Sequence, residues 1–235
     1  MHIKLSKLQC LTLTAMLGAI IAVLTFTPLG FPQIPLVGSA TIIHIPVIIG
    51  AIIMGPKYGA ALGFMFGLSS MLAATFVSVA LNRFAFTPFH PVPGTESGSL
   101  WAIVIAFGPR ILVGVVAALV YIGIMKLASI LPLPKSITAP RAFAAAVAAG
   151  VASMTNTLLV LNLLYFIFRE PWSLARAGSA NPDVAANPQI TYAFITTTIA
   201  GFGVPEAIAA IIIVPAVCIA IFTVAKRMPQ KQGTR

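Results

Sequence analysis

Two ionisable side chains lie within segments that are otherwise apolar, and they define the chemistry open to this sequence. Arg110 interrupts an uncharged run between Trp101 and Tyr121, and Glu206 interrupts the last long apolar stretch. A charge inside a membrane is expensive and usually serves a function or a partner charge. A guanidinium binds carboxylates through paired hydrogen bonds. The two residues therefore predict an anion-binding site, an internal Arg110–Glu206 ion pair, or a pair that an anionic ligand displaces.

Two further polar side chains, Asn156 and His44, are expected at a similar depth. At about 1.5 Å per residue from the nearest inner basic residue, Arg110, Asn156 and Glu206 lie about 24, 22 and 30 Å up their helices. The same rule places His44 about 17 Å from the predicted turn at Gly55. All four positions fit a pocket open to the outside. The simpler interpretations are interhelical hydrogen bonding by Asn156 and a self-contained buried histidine.

The composition requires that these side chains sit on membrane helices. The 235 residues are 59% hydrophobic and 8% charged, and the mean hydropathy of +1.04 excludes a soluble domain. We predict an all-α integral membrane protein, a single six-transmembrane-helix bundle over residues 1–235, because a helix needs about 20 apolar residues to cross the bilayer. The predicted helices are 10–28, 40–55, 58–80, 100–125, 141–168 and 191–225.

The distribution of lysine and arginine predicts the orientation. With the N-terminus inside, the cytoplasmic segments carry ten basic residues and no acidic ones, whereas the outer segments carry three arginines offset by three acidic residues. Since positive loops stay in the cytoplasm, both termini are expected there, in a plasma-membrane protein whose binding site faces outside. The net charge of +10 is then mainly a topology signal. Membrane lipid is an expected partner, and nucleic acid is not.

Several functional classes lack their signatures. Lys4 and Lys7 precede an apolar run too long for a signal peptide, so this run is read as the first membrane helix. Cys10 and Cys218 lie in separate spans and indicate neither a disulfide framework nor a metal site. No nucleophile elbow or phosphate-binding loop is present. We therefore expect no cofactor, no metal and no enzyme activity, and any energised transport must draw on a partner ATPase or a gradient.

The predicted outer loops contain aromatic residues that suit a lid. Phe86 and Phe89 lie in segment 81–99, and Trp172 lies in segment 169–190. Such loops could cover the pocket with apolar surface. The alternative is an interfacial aromatic belt, which applies especially to Trp172 and to Trp101.

The first helix carries two small-residue pairs spaced by four. They are Ala15 with Ala19 and Gly18 with Ala22. Small residues at this spacing form a groove in which another helix backbone can approach closely. The groove predicts either docking of a partner subunit or packing within this bundle.

Taken together, these segments resemble the substrate-binding S components of energy-coupling factor (ECF) vitamin transporters. The most telling segment is 43–59, Ile-His-Ile-Pro-Val-Ile-Ile-Gly-Ala-Ile-Ile-Met-Gly-Pro-Lys-Tyr-Gly, which continues to Gly63 and Gly67. Segments 109–114, 155–157 and 204–207 are similar to further parts of the pantothenate-type branch. The Ala15 to Ala19 spacing is similar to the alanine motif by which S components dock on their coupling subunit.

The resemblance implies a six-helix protein that captures a vitamin from outside with high affinity. It would then topple in the membrane against a transmembrane coupling subunit driven by two ATP-binding-cassette ATPases. Pantothenate or a similar small anionic vitamin is the implied substrate. Related S components bind riboflavin, folates, thiamine precursors or cobalamin precursors, and those remain alternatives.

Two other classes stay open at this point. A stand-alone gradient-driven carrier could use Glu206 as a proton-linked carboxyl group, although no inverted-repeat symmetry supports it. A membrane scaffold or enzyme is the second, although Arg110 and Glu206 alone do not make a catalytic site.

Overall fold

The protein is a bundle of apolar helices. The computed structural model describes residues 5–30, 33–34, 38–39, 41–78, 82–130, 138–177 and 188–227. The helices are α1 (Lys7–Phe26), α2 (His44–Met54), α3 (Pro56–Phe76), α4 (Trp101–Ile130), α5 (Thr138–Ala177), α6 (Pro188–Thr198) and α7 (Val204–Arg227). A π-helical turn, Ile199–Gly203, joins α6 to α7 into one pass, so the described segments make six passes. The strands β1 (Gln33–Ile34) and β2 (Gly38–Ser39) pair antiparallel.

Five of the six passes are long and apolar enough to cross a membrane. The exception is α2, which has 11 residues and is therefore only about 16 Å long. The prediction of a helix over 40–55 was too long at its start, because Thr41 and Ile42 are not helical and α2 begins at His44. Five long apolar passes identify a multi-pass membrane protein, as the composition predicted.

The fifth pass extends beyond its predicted end at residue 168. Its helix continues to Ala177, but it bends at Phe168, where φ is −122° and ψ is 26°. Pro171 explains the bend, since it has no N–H to donate to the carbonyl of Ile167 one turn earlier. The first nine of the 22 residues of the predicted outer loop 169–190, up to Ala177, are thus helical. The predicted last helix, 191–225, is likewise interrupted by the π-helical turn.

Three glycines of α3, spaced by four residues, bring α3 against α4. A Cβ atom on Gly59, Gly63 or Gly67 would collide with the α4 backbone at Gly114, Arg110 or Ala106, respectively. The numbers rise along α3 as they fall along α4, so the two helices are antiparallel. Glycine permits this approach because it has no side chain. The crossing places the backbone of Arg110 directly against α3.

Glycine contacts of the same type define the register of two further helix pairs, α2 with α3 and α5 with α7. Gly50 of α2 faces the Leu62 side chain of α3, across the turn at Gly55, whose φ of 94° suits glycine. On the other side of the bundle, Gly150 of α5 faces Ile211 of α7, and Gly203 faces Thr157. Both helix pairs are therefore antiparallel.

Buried apolar residues form two clusters. The central cluster includes most of α2 and the alanine-rich first half of α5, with parts of α3, α4 and α7. The loop-side cluster joins the α3–α4 loop to the bent end of α5 and to α6; its buried members are Phe84, Ala85, Val92, Ile105, Leu164, Phe168, Trp172 and Ile195.

Candidate functional site

A layer of polar side chains separates the two apolar clusters. On α4, Arg110 lies between Ile105 of the loop-side cluster and Val113 of the central cluster. On α5, the stretch from Ser153 to Thr157 lies between Ala152 and Leu164 in the same way. We call this set the polar layer; its members are His44, Arg110, Ser153, Asn156, Thr157 and Glu206.

Arg110 is held between two aromatic rings. Its guanidinium carbon lies 4.9 Å from the ring centroid of Phe86 and 5.6 Å from that of Phe66, distances at which a cation is attracted to a ring face. The side chain is only 7% exposed. Phe86 belongs to the α3–α4 loop and Phe66 to α3, so a loop and a helix together orient the charge.

A proline frees the carbonyl that accepts the one hydrogen bond of this guanidinium among the described residues. Arg110 Nη1 donates to the carbonyl oxygen of Ile105 at 2.6 Å. In a regular helix that carbonyl would accept from the N–H of residue 109, but residue 109 is proline and has no N–H. Pro109 therefore frees an acceptor for its neighbour. Arg110 Nε is buried and has no partner within the described part of the chain.

Glu206 of α7 contacts residues at the start of the α2 region and on α5. The backbone N–H of Thr41 donates to Glu206 Oε1 at 2.6 Å, and the hydroxyl groups of Thr41 and Thr157 lie beside the same carboxyl group. Thr157 also donates to the Ser153 carbonyl oxygen at 3.4 Å. The first residues of the α2 region thus meet α5 and α7 at one acidic side chain, which is 8% exposed.

The sequence left open an ion pair between Arg110 and Glu206, and the structure does not form it. Both residues lie in the described part of the chain, where Arg110 bonds to a carbonyl and Glu206 to a backbone N–H. No bond joins the two side chains. Each charge therefore has its own partner, the Ile105 carbonyl for Arg110 and the Thr41 N–H for Glu206.

Three more members of the layer have buried polar atoms without hydrogen-bond partners among the described residues. They are both ring nitrogens of His44, Oγ of Ser153 and Oδ1 of Asn156. The Thr41 backbone lies near the His44 ring but outside hydrogen-bonding geometry. Since more than nine in ten buried polar groups are normally paired, their concentration in one layer is typical of a ligand site.

The outer aromatic residues separate into two groups. Phe86 contacts Arg110 and packs on the loop-side cluster, and Trp172 is a buried member of that cluster. Phe89 is 72% exposed and contacts neither. Trp101 is also exposed, in the manner of an interfacial residue, whereas the burial of Trp172 does not fit that interpretation.

The small residues of α1 also face in different directions. Gly18 is buried, and a Cβ there would overlap the Met65 side chain of α3. Ala15 and Ala19 are exposed, and Ala22 is half-buried. Gly18 therefore packs within the bundle, which was the alternative interpretation, while Ala15 and Ala19 lie on the outer face of α1.

Sequence reasoning missed four residues of the site. Ser153 and Thr157 flank the predicted Asn156, but helical hydroxyl groups usually bond to their own backbone and gave no signal. Phe66 and Thr41 act through contacts that only the fold creates. One signal was available. Asn156 and Thr157 follow Ser153 by three and four residues, and this spacing predicts that all three lie on one helix face.

The described residues contain no group of three His, Cys, Asp or Glu side chains able to hold a metal ion. What the layer offers is one cation between aromatic rings, one carboxyl group and several neutral hydrogen-bonding groups. Such an arrangement can bind a small anion with polar substituents and contains no evident catalytic group.

Comparisons with known proteins indicate a transporter subunit. The family described as "ECF transporter, substrate-specific component" matches residues 9–218. The chain is also 36% identical, over 198 residues, to the pantothenic acid transporter PanT of Lactococcus lactis subsp. cremoris, covering 83% of this chain and 93% of that protein. A substrate-binding subunit of an importer is not an enzyme, as expected, and it works with the remaining parts of an ECF transporter. The chain belongs to the family of substrate-specific components of ECF transporters.

Proposed function

We propose that this substrate-specific component binds pantothenate in the polar layer. The observation that carries the proposal is the guanidinium of Arg110, buried between Phe66 and Phe86 without an acidic partner among the described residues. A buried, uncompensated cation favours an anionic ligand. The similarity to a pantothenic acid transporter supplies the identity of that anion.

The other predicted site residues complete the proposal. Asn156 and His44 supply neutral hydrogen-bonding groups, and Phe86 and Trp172 give the site an apolar cover. Glu206 holds the Thr41 backbone and borders the site without neutralising Arg110. Phe89, which is exposed, reaches the ligand only if the α3–α4 loop moves.

We further propose that the outer face of α1 docks on the transmembrane coupling subunit. Ala15 and Ala19 are exposed there, beside the large exposed side chains of Leu11, Met16 and Ile20. Small residues between large ones leave a groove for a partner helix. Two ATP-binding-cassette ATPases would then drive uptake through that subunit, with both termini of this chain in the cytoplasm and the polar layer open to the outside.

Thermal unfolding of the detergent-purified chain against a vitamin panel tests the ligand assignment. A ligand that binds only the folded state stabilises it by about 2.7 kcal/mol at a concentration of 100 times Kd. We expect pantothenate to raise Tm at micromolar concentration, and riboflavin, folate and thiamine to leave it unchanged. A rise with one of those vitamins and none with pantothenate would overturn the assignment.

A further inference from the structure

Ser153 differs from two other buried hydroxyl residues of the membrane helices, Thr14 and Thr25. Thr14 and Thr25 are similarly buried, and their hydroxyl groups donate to carbonyl oxygens one turn earlier at 2.8 and 2.7 Å. This is the usual arrangement for a hydroxyl group inside a helix. Ser153 is 1% exposed, and its Oγ makes no such bond and has no other partner within the described residues.

The fold places His44 at the same depth in the bundle as Ser153. Glu206 joins Thr41 to the Thr157 region. His44 follows Thr41 by three residues, at the first position of α2, toward the end of the bundle that contains Gly55. Ser153 lies one turn along α5 from Thr157 in the same direction, because α3 and α4 run antiparallel and α5 starts at the end where α4 finishes. His44 and Ser153 therefore occupy one level of the polar layer.

Asn156 belongs to the same face of α5. It follows Ser153 by three residues, a spacing that brings side chains together on a helix, and its Oδ1 is buried without a partner in the described structure. The unpaired atoms are thus a hydroxyl, an amide oxygen and an imidazole, all neutral groups. Together they offer both donors and acceptors.

Arg110 reaches this level from the other side. The α2–α3 register places His44 at the height of Phe66, and the Phe66 ring contacts the guanidinium. A ligand bridging the layer would therefore meet a cation at α4 and neutral hydrogen-bonding groups at α2 and α5. This arrangement favours a ligand with one anionic end over a ligand that is charged at both ends.

We infer that Ser153, with His44 and Asn156, binds the uncharged hydroxyl and amide end of a ligand whose carboxylate is held at Arg110. This assignment rests on the proposed binding function and deepens it: it gives the orientation of the ligand and adds Ser153 as a specificity-determining residue. The substrate class is a monocarboxylate that carries hydroxyl groups at the opposite end. Pantothenate has this form.

The test is a Ser153→Ala variant titrated calorimetrically with three probes: pantothenate, its alcohol analogue panthenol, and pantothenate analogues lacking one hydroxyl group. We expect affinity for pantothenate to fall roughly tenfold, the worth of one good hydrogen bond. For the analogue lacking the hydroxyl group that Ser153 contacts, the variant and the wild type should bind equally. Preference for pantothenate over panthenol should be unchanged, because that preference reports on Arg110.

A structural role for Ser153 makes the opposite prediction for the unliganded protein. Removing an unpaired hydroxyl leaves Tm unchanged or higher, whereas removing a structural hydrogen bond would lower it. Thr155→Ala is the matched control, since its hydroxyl group donates to the Val151 carbonyl at 2.7 Å and the residue is only half-buried. The control should bind all three probes as the wild type does.

The results distinguish failure of the Ser153 assignment from failure of the proposed function. If the wild-type chain binds pantothenate and Ser153→Ala binds every probe as tightly as Thr155→Ala does, the Ser153 assignment is overturned alone. An equal loss for all probes, with a lower Tm, also overturns it. If the wild-type chain binds no pantothenate, both the proposed function and this assignment are overturned.

Discussion

At the scale of single residues, the neighbours of Arg110 hold its guanidinium in one position, as the proposed anion site requires. Two aromatic faces and one carbonyl fix the guanidinium, so little side-chain entropy remains to be lost when a ligand binds. The carbonyl is available because Pro109 cannot use it. The adjacent residues Pro109 and Arg110 thus act as a unit.

Replacing Arg110 tests the charge. Arg110→Ala should weaken pantothenate binding about 10- to 150-fold, because a hydrogen bond to a charged group contributes about 1.5–3 kcal/mol. Calorimetric titration measures the loss. Arg83→Ala is the control, since this arginine is exposed on the same α3–α4 loop as Phe86. Wild-type affinity in a folded Arg110→Ala protein would remove Arg110 from the site.

Replacing Pro109 tests the orientation of Arg110 separately from its charge. In Pro109→Ala, the new N–H competes with Arg110 Nη1 for the Ile105 carbonyl. We expect higher Tm, because the helix gains a backbone hydrogen bond, together with several-fold weaker pantothenate binding. Circular dichroism melting and titration report the two effects. A variant with higher Tm and unchanged affinity would show that the carbonyl does not orient the arginine.

Sequence reasoning identified the two charged residues of the polar layer but not the partners of each. Arg110 and Glu206 are conspicuous because charges are rare in apolar segments. Whether they pair depends on side-chain directions across the bundle, which spacing along one helix does not determine. Ser153 gave no signal because a helical serine normally bonds to its own backbone, and only the structure shows that it does not.

At the scale of elements, close helix crossings position the layer. The glycines of α3 place the Arg110 backbone, and Gly203 lets α7 approach Thr157 just before Glu206. Gly203 is the last residue of the π-helical turn Ile199–Gly203, and such turns are frequent at functional sites. The six helical passes could be predicted from apolar length. The late start of α2 could not, since it depends on local backbone bonding within an apolar segment. The bend at Phe168 was missed although Pro171 is a sequence signal for it.

Gly63 offers a test of the α3–α4 crossing. Gly63→Ala places a methyl group against the Arg110 carbonyl, so the helices must separate. We expect a lower Tm and weaker pantothenate binding, both measurable on the purified protein. Gly123→Ala is the matched control on α4, because a Cβ there meets nothing within 4 Å. Equal behaviour of the two variants would contradict the crossing.

Larger side chains on the outer face of α1 test whether this face docks on the coupling subunit. Ala15→Leu with Ala19→Leu should leave pantothenate binding intact and abolish uptake in cells that contain the coupling subunit and ATPases, because the groove is filled. Ala216→Leu with Ala220→Leu is the matched control: these α7 alanines are also exposed and four residues apart. Normal uptake by the α1 variant would move the docking surface elsewhere.

At the scale of the whole molecule, the described helices enclose a polar layer between two apolar clusters, and the central cluster fills the end of the bundle near Gly55. That cluster includes nearly all of α2 and the first half of α5. The site is therefore sealed on one side by packed apolar residues. On the other side it is covered by the α3–α4 loop and the bent end of α5.

The predicted orientation can be measured with reporter fusions. Green fluorescent protein fused after Arg235 should fluoresce, and alkaline phosphatase fused there should be inactive, because both report a cytoplasmic C-terminus. Phosphatase inserted after Gly94, in the loop between α3 and α4, should be active. The reverse pattern would invert the topology and place the loop-side cluster in the cytoplasm.

The shortness of α2 has an electrical consequence. With 11 residues, α2 extends about 16 Å from the turn at Gly55, so the polar layer lies roughly halfway through a hydrocarbon region of about 30 Å. An anion that reaches Arg110 from outside therefore crosses about half of the transmembrane voltage, and an inside-negative potential of 100 mV opposes that entry by roughly 1 kcal/mol. In the proposed orientation the same potential opposes the remaining half of the path, so uptake of an anion needs an energy source that exceeds this electrical cost.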